Sequence, residues 1–239
     1  MLRVVFRQPW RQTEGLLNSL LSQMSQGVCS PDHTTLSRRS RGLNVAFPKL
    51  DVGESVHVIL DATGLKVFGR GEWSTSKHGV GPRGPGWRKF HMAVDDQGGI
   101  LAADLTEAEV ADAAVAPRLL AAVGAAIGRI TADGGYDRQE VYDAASRVED
   151  AVPSRDPTLA ERNQHIEHRK RVGKRQWRVD TGHHQQARVE NSFYRYKRTF
   201  GRGLRARTEE GQLVEVLTGC RILNRMLELG RPESIAIGA

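Results

Sequence analysis

Apolar residues recur along this 239-residue chain with two different spacings, one helical and one strand-like. Residues 13–25, TEGLLNSLLSQMS, set Leu16, Leu17, Leu20, Leu21 and Met24 on a helical stripe with Thr13 as N-cap. A second short helix is predicted over 30–43, SPDHTTLSRRSRGL. It opens on cap-type residues and Pro31, carries Arg38, Arg39 and Arg41, and stops at Gly42. Two short helices with a basic second one fit either a helix-turn-helix or a simple helical hairpin.

From Ser55 the period drops to two. VHVILD (56–61), RKFHMAVDD (88–96) and GILAADLT (99–106) predict a meander of three strands, the link from Gly64 to Trp87 being a long glycine-rich loop. A helix follows over 117–126 with Pro117 near its first position, then RITADGGYD (129–137), a strand ending in Asp133 and a turn, a helix over RQEVYDAASRVE and a short strand in DAVPSR. Last comes a long helix in HHQQARVENSFYRYKRTFGRG. There Val189, Phe193, Tyr196 and Phe200 form the packed stripe, and Gly201 and Gly203 offer a stop. The order β-β-β-α-β-α-β predicts an α/β fold with a mixed sheet covered by helices. Residues 1–50 form a small helical N-terminal segment. Residues 51–239 form the main domain, with a basic connection at about 155–182.

Composition narrows the function. No stretch approaches the roughly 20 apolar residues of a bilayer helix, and MLRVVFRQPW lacks the apolar core of a signal peptide, so no membrane partner and a cytoplasmic location are expected. Cys29 and Cys220 stand apart and read as reduced structural thiols. The net charge is +7, but residues 155–207 hold fifteen Lys or Arg against five Asp or Glu. That local +10 leaves the rest of the chain at −3. Cation concentrated in one segment points to a polyanion, with nucleic acid favoured over membrane, or to a solvated basic face.

Candidate chemistry lies in the carboxylates. Asp61 ends the first strand and Asp133 the fourth, while Glu190 stands about 100° from the apolar stripe of the long helix, among Arg188, Arg195, Lys197 and Arg198. Taken singly, each reads as a turn cap or surface ion pair. Together, three converging carboxylates repel one another unless a cation neutralises them, and hard oxygen donors without cysteine favour magnesium or manganese. His165, His168, His183 and His184 fit no common zinc spacing. GVGPRG at 79–84 matches a dinucleotide fingerprint literally, but it contains a proline, follows no strand and opens no helix. No G-x-S-x-G nucleophile motif occurs, and Tyr194 and Tyr196 lack the basic constellation of a tyrosine recombinase. Trp73 and Trp87 flank the glycine-rich loop, either as base-stacking groups or as packing anchors.

ILDATGLKVFGRGEW, the KHG and WRKFHMAVD segments, ITADGGYD and RVENSFYRYK together resemble the DDE-class transposases of bacterial insertion sequences, nearest to the insertion sequence 5 group. The acidic motifs occur in the family's order, with 71 residues between Asp61 and Asp133 and 56 between Asp133 and Glu190. The resemblance implies a ribonuclease H-like fold and a DNA transposase that cleaves the ends of an insertion sequence and transfers strands. Asp61, Asp133 and Glu190 would be catalytic and would hold two Mg2+ or Mn2+ ions, Asp61 bridging them. Lys197, Arg188, Arg195, Arg198, Lys77, Arg88 and Lys89 would contact DNA. The implied partner is duplex DNA with terminal inverted repeats, bound by a homodimer or larger synaptic complex. Two departures stand out: His183 and Gln186 replace the tyrosine and arginine that precede the glutamate in the family. The chain also begins almost at RQTEGLLNSLL, where family members have a longer leading segment. A non-catalytic DNA-binding remnant that occupies element ends is therefore the alternative, and a structure-selective nuclease a third reading.

Overall fold

One long strand, β1 (Val56–Val67), organises the chain because it is paired along both edges. The computed structural model describes residues 1–24, 27–47, 55–67, 86–136, 138–146, 160–180 and 183–230. On one side β1 runs antiparallel to β2 (Trp87–Val94) from Ile59↔Val94 to Lys66↔Trp87. Strand β2 runs antiparallel to β3 (Ile100–Glu107). On its other side β1 pairs in parallel with β4 (Ile127–Thr131) over its first residues and with the two-residue β5 (Gly203–Leu204) over its last. The sheet order is β3-β2-β1-β4, mixed in direction and ribonuclease H-like, as expected.

Helices cover both faces, and the alternation of β1 decides which residue meets which. Ile59, Leu65 and Val67 join Phe90, Met92 and Val94 under α7 (Gln186–Phe200) and α8 (Glu209–Glu228). Val58, Leu60 and Ala93 face α4 (Asp112–Val123) and α5 (Gln139–Ser146) on the opposite side. The predicted stripe of α7 is the buried one: Val189, Phe193, Tyr196 and Phe200 are all core residues. Phe90 meets Phe193 edge-on at 5.3 Å between ring centroids and Tyr196 at 4.9 Å. Each such ring contributes about 2–3 kcal/mol by area, and an edge-on pair about 1 kcal/mol more. Helix α8 adds Cys220 to this core, where burial pushes the thiol pKa up, whereas Cys29 is exposed. Asn224 fastens α8 to β3: its amide donates to the Ile100 carbonyl at 2.7 Å and accepts from the Ile100 N–H at 2.8 Å.

The N-terminal segment comprises α1 (Leu2–Val5), α2 (Trp10–Gln23) and α3 (His33–Ser40). Helices α2 and α3 form a hairpin tied by Glu14, which accepts from the His33 N–H at 2.9 Å, and by Asn18, which accepts from the Ser30 N–H at 2.7 Å. Asp32 caps α3 by accepting from the N–H groups of Thr34 and Thr35.

Five boundaries differ from the sequence expectation. Strand β4 begins at Ile127 and ends at Thr131, so Asp133 lies on the turn that follows rather than at the strand end. Helix α2 starts at Trp10 after an extended Pro9; Thr13 is buried inside it, its hydroxyl donating to the Pro9 carbonyl. Helix α4 begins at Asp112, so Pro117 is interior, and it stops at Val123 on Gly124, whose φ of +68° suits a residue without Cβ. Strand β1 runs six residues past Asp61 because β2 supplies ladder partners as far as Lys66. The basic segment expected as a connection is helical over α6 (Ala160–Asp180), broken at Gly173. The DAVPSR strand and the 68–85 loop, with Trp73, Lys77 and GVGPRG, lie outside the described residues. Trp87 packs over Gly64, where an added Cβ would sit 3.2 Å from the indole ring.

Candidate active site

The two edge partners of β1 leave a gap between them. Strand β4 pairs as far as Ile59 and β5 only from Lys66, so among the described residues Leu60 to Leu65 has no strand on that side. Asp61 and Thr63 lie in the gap on the face shared by Ile59 and Leu65, which is the α7 face. Asp133 stands two residues beyond Thr131, as Asp61 stands two beyond its register partner Ile59. Asp133 thus leaves the end of β4 near Asp61, close enough for its charge to act on the Asp61 carboxyl. Asp133 then turns the chain, its Oδ1 accepting from the Gly135 N–H at 2.9 Å.

Side chains of α7 close the gap. Gln186 is buried, and its Nε2 donates to the Leu60 carbonyl at 3.0 Å, satisfying a backbone acceptor that no strand reaches. Glu190 lies one turn further along α7 and is exposed. Lys197 lies two turns beyond Glu190, and its Nζ donates to Thr63 Oγ1 at 2.6 Å. Thr63 thus meets Lys197 directly, and the Asp61 carboxyl feels the charge of Glu190. Gln186 occupies the family's arginine position and serves as a backbone clasp; the His183 side chain lies outside what is described.

Burial and neighbouring charge act together on Asp61. The Asp61 carboxyl pKa is raised from 3.8 to about 6, first by burial and then by the like charges of Asp133, Glu190 and Asp112, against the opposing hydrogen bond from the Ala62 N–H. Burial and then Arg202 lower the Lys197 pKa, while Asp61 raises it. Tyr136, on the turn after Asp133, is buried with its hydroxyl unpartnered, and burial followed by Asp112, Asp61 and Asp133 pushes its pKa far up. Among the described residues no three Asp, Glu, His or Cys side chains stand at metal-holding spacing. By chemistry Asp61, Asp133 and Glu190 are the hard oxygen donors that a divalent ion takes, and the charges of the other two reach the Asp61 carboxyl.

The expected DNA-contacting residues separate into two groups. Arg188 and Arg198 are exposed on α7, and Arg195 is half-buried with one N–H to the Leu223 carbonyl at 3.4 Å. Arg88 is instead buried: its guanidinium meets Glu107, Glu209 at 2.7 Å and Gln212 at 3.2 Å, which leaves it nothing to offer a phosphate. Lys89 donates to the Val110 carbonyl at 2.6 Å and lies 3.3 Å from Asp112. Both point to the α4 end of the sheet or to α8, a direction that local sequence does not encode.

Sequence reasoning missed Thr63, Asp112 and Tyr136. Thr63 was hidden because the strand was read only as far as Asp61, and its continuation to Val67 depends on pairing with β2. Asp112 and Tyr136 join the site only through the packing of α4 against the turn after β4. A large apolar groove between the N-terminal helices and α8, lined by Trp10, Leu17, Leu36, Leu43 and Val214, contains none of the predicted site residues.

No solved structure matches the chain. A family model described as Transposase DDE domain matches residues 53–225, and a second model of the same description matches residues 1–70. Domains of this kind generally use divalent metal ions. With most of its length matched, including β1, β4, α7 and all three carboxylates, the chain belongs to the Transposase DDE domain family.

Proposed function

We propose that this chain is an insertion-sequence transposase of the insertion sequence 5 group, cleaving element ends and transferring strands from a site built on Asp61, Asp133 and Glu190. The observation that carries the reading is Asp61: a half-buried carboxylate on the central strand, its pKa raised first by burial and then by the charges of Asp133 and Glu190. The three carboxylates would hold two Mg2+ or Mn2+ ions. Such ions activate an attacking oxygen and stabilise a leaving one in phosphoryl transfer.

The chain's own residues do the rest. Gln186 and Lys197 bind α7 to β1 on either side of Glu190, which fixes the glutamate relative to Asp61. Lys197, Arg188, Arg195 and Arg198 bring positive charge to where a DNA phosphate must lie. Synapsis of two inverted-repeat ends requires a dimer or larger assembly, working in the cytoplasm where bacterial DNA resides.

The test is nicking and strand transfer on supercoiled DNA carrying the element's ends, with Mg2+ or Mn2+, comparing the chain with Asp61→Asn. Cutting by the unmodified chain alone supports the enzyme. Two chains that bind DNA equally and never cut identify a binding remnant.

A further inference from the structure

Helix α6 is not one rod. His168 Nε2 lies 2.8 Å from Asp180 Oδ2, although a straight helix would place residues twelve apart about 18 Å from each other. The chain therefore reverses between them, at Gly173, whose φ of +81° and ψ of +162° belong to a region essentially reserved for glycine. Gln176 Nε2 donates to Asp180 Oδ1 at 2.7 Å, and the Arg169 guanidinium lies 5.9 Å from the centre of the Trp177 ring, so the two limbs are cross-tied. At the reversal five of the seven residues 169–175 are cations, and Arg169, Lys170, Arg171, Lys174 and Arg175 are all exposed. The limbs return to the turn at 183–185, directly ahead of the helix that carries Glu190.

We propose that this hairpin is a DNA arm, its tip gripping the phosphate backbone of duplex flanking the cleavage site. The inference rests on the transposase reading and extends it to residues outside the α7 cluster. Five exposed cations packed on a glycine reversal, with no exposed aromatic among them, suit sequence-independent phosphate contact rather than base reading. A duplex with one phosphate at the carboxylates must continue past them, and the arm is rooted beside the N-terminal end of α7. Arg169 has the Trp177 contact to keep, so Lys170, Arg171, Lys174 and Arg175 supply the grip.

The experiment measures binding of a random-sequence 30-bp duplex against salt concentration, all in an Asp61→Asn background. It compares the parent, a Lys170→Gln, Arg171→Gln, Lys174→Gln, Arg175→Gln variant, Gly173→Ala, and Arg225→Gln as a distant control, with circular dichroism on each. The expected result is a log–log salt slope shallower by roughly 3 to 4 in the quadruple variant, since each lost phosphate contact removes about 0.9. Gly173→Ala should weaken binding at unchanged tip charge, and Arg225→Gln should leave the slope as it is. An unchanged slope in the quadruple variant overturns the arm. If the Asp61-containing chain still cuts DNA while that slope is unchanged, the arm fails and the transposase stands. If the slope falls in a chain that never cuts, the arm stands and the enzyme fails.

Discussion

Lys197 and Thr63 meet across the gap in the edge of β1, Nζ to Oγ1 at 2.6 Å, and so join the helix of Glu190 to the strand of Asp61. Thr63→Val keeps the shape and removes the acceptor, which frees the ammonium. The expected outcome is a loss of about 1 kcal/mol in the cleavage step, roughly fivefold in rate, with duplex affinity nearly unchanged. Lys197→Ala should cost more in rate and also reduce the salt slope. Equal losses of affinity and rate in Thr63→Val would show that the contact serves only the fold.

The pH dependence of stability carries a sign that Asp61 sets. Its folded pKa of about 6 lies above the unfolded 3.8, so between those values the folded chain keeps a proton that the unfolded chain has lost. Stability from this group therefore falls as pH rises from about 4 to 6. His91 opposes it: fully buried beneath α4, its pKa is lowered by burial from 6.5 to about 4, so its contribution falls as pH drops through the same range. Asp61→Asn removes only the first slope. Urea unfolding should show the variant's advantage growing from pH 4 to 6 and levelling at about 1–2 kcal/mol, after allowance for solvent screening. A difference that is flat with pH would contradict the raised pKa that burial and like-charged neighbours give Asp61.

Divalent ions should act on the same charge. At pH 7, Mn2+ or Mg2+ should raise the melting temperature of the unmodified chain, and chelation should reverse the gain. Asp61→Asn should show a much smaller rise. Equal shifts in both proteins would place the ion elsewhere.

Gly219 on α8 tests how closely the two helices over the sheet are packed. A helical Gly→Ala change ordinarily stabilises by about 1 kcal/mol. Here the new Cβ would stand 2.6 Å from a ring carbon of buried Tyr196 and 3.2 Å from Phe200. Gly219→Ala should therefore destabilise by about 1–3 kcal/mol in denaturant unfolding. A more stable variant would mean that α7 and α8 lie further apart.

Arg88 separates a structural cation from a DNA-binding one. With Glu107, Glu209 and Gln212 around its buried guanidinium, Arg88→Met should cost about 2 kcal/mol in stability and leave the salt slope of DNA binding unchanged. A shallower slope in a stably folded variant would return Arg88 to the DNA-contacting group.

The sequence by itself determined the meander, the packed stripe of α7 and the order Asp61, Asp133, Glu190, because side-chain period and residue chemistry are local properties. It also carried the motifs of the family. It did not determine where β1 ends, since six residues after Asp61 become strand only because β2 is there to pair with them. Nor did it distinguish Arg88 from Arg188: both are basic residues beside motif segments, and only the three-dimensional fold gives one of them acidic neighbours and leaves the other in solvent. The reversal of α6 at Gly173 lay hidden in a basic run for the same reason, because the His168 and Asp180 side chains that fasten it are twelve residues apart. What the tertiary structure decided was partnership. Charge and period are written in each residue, but burial, register and the pKa of Asp61 depend on what distant segments bring to it.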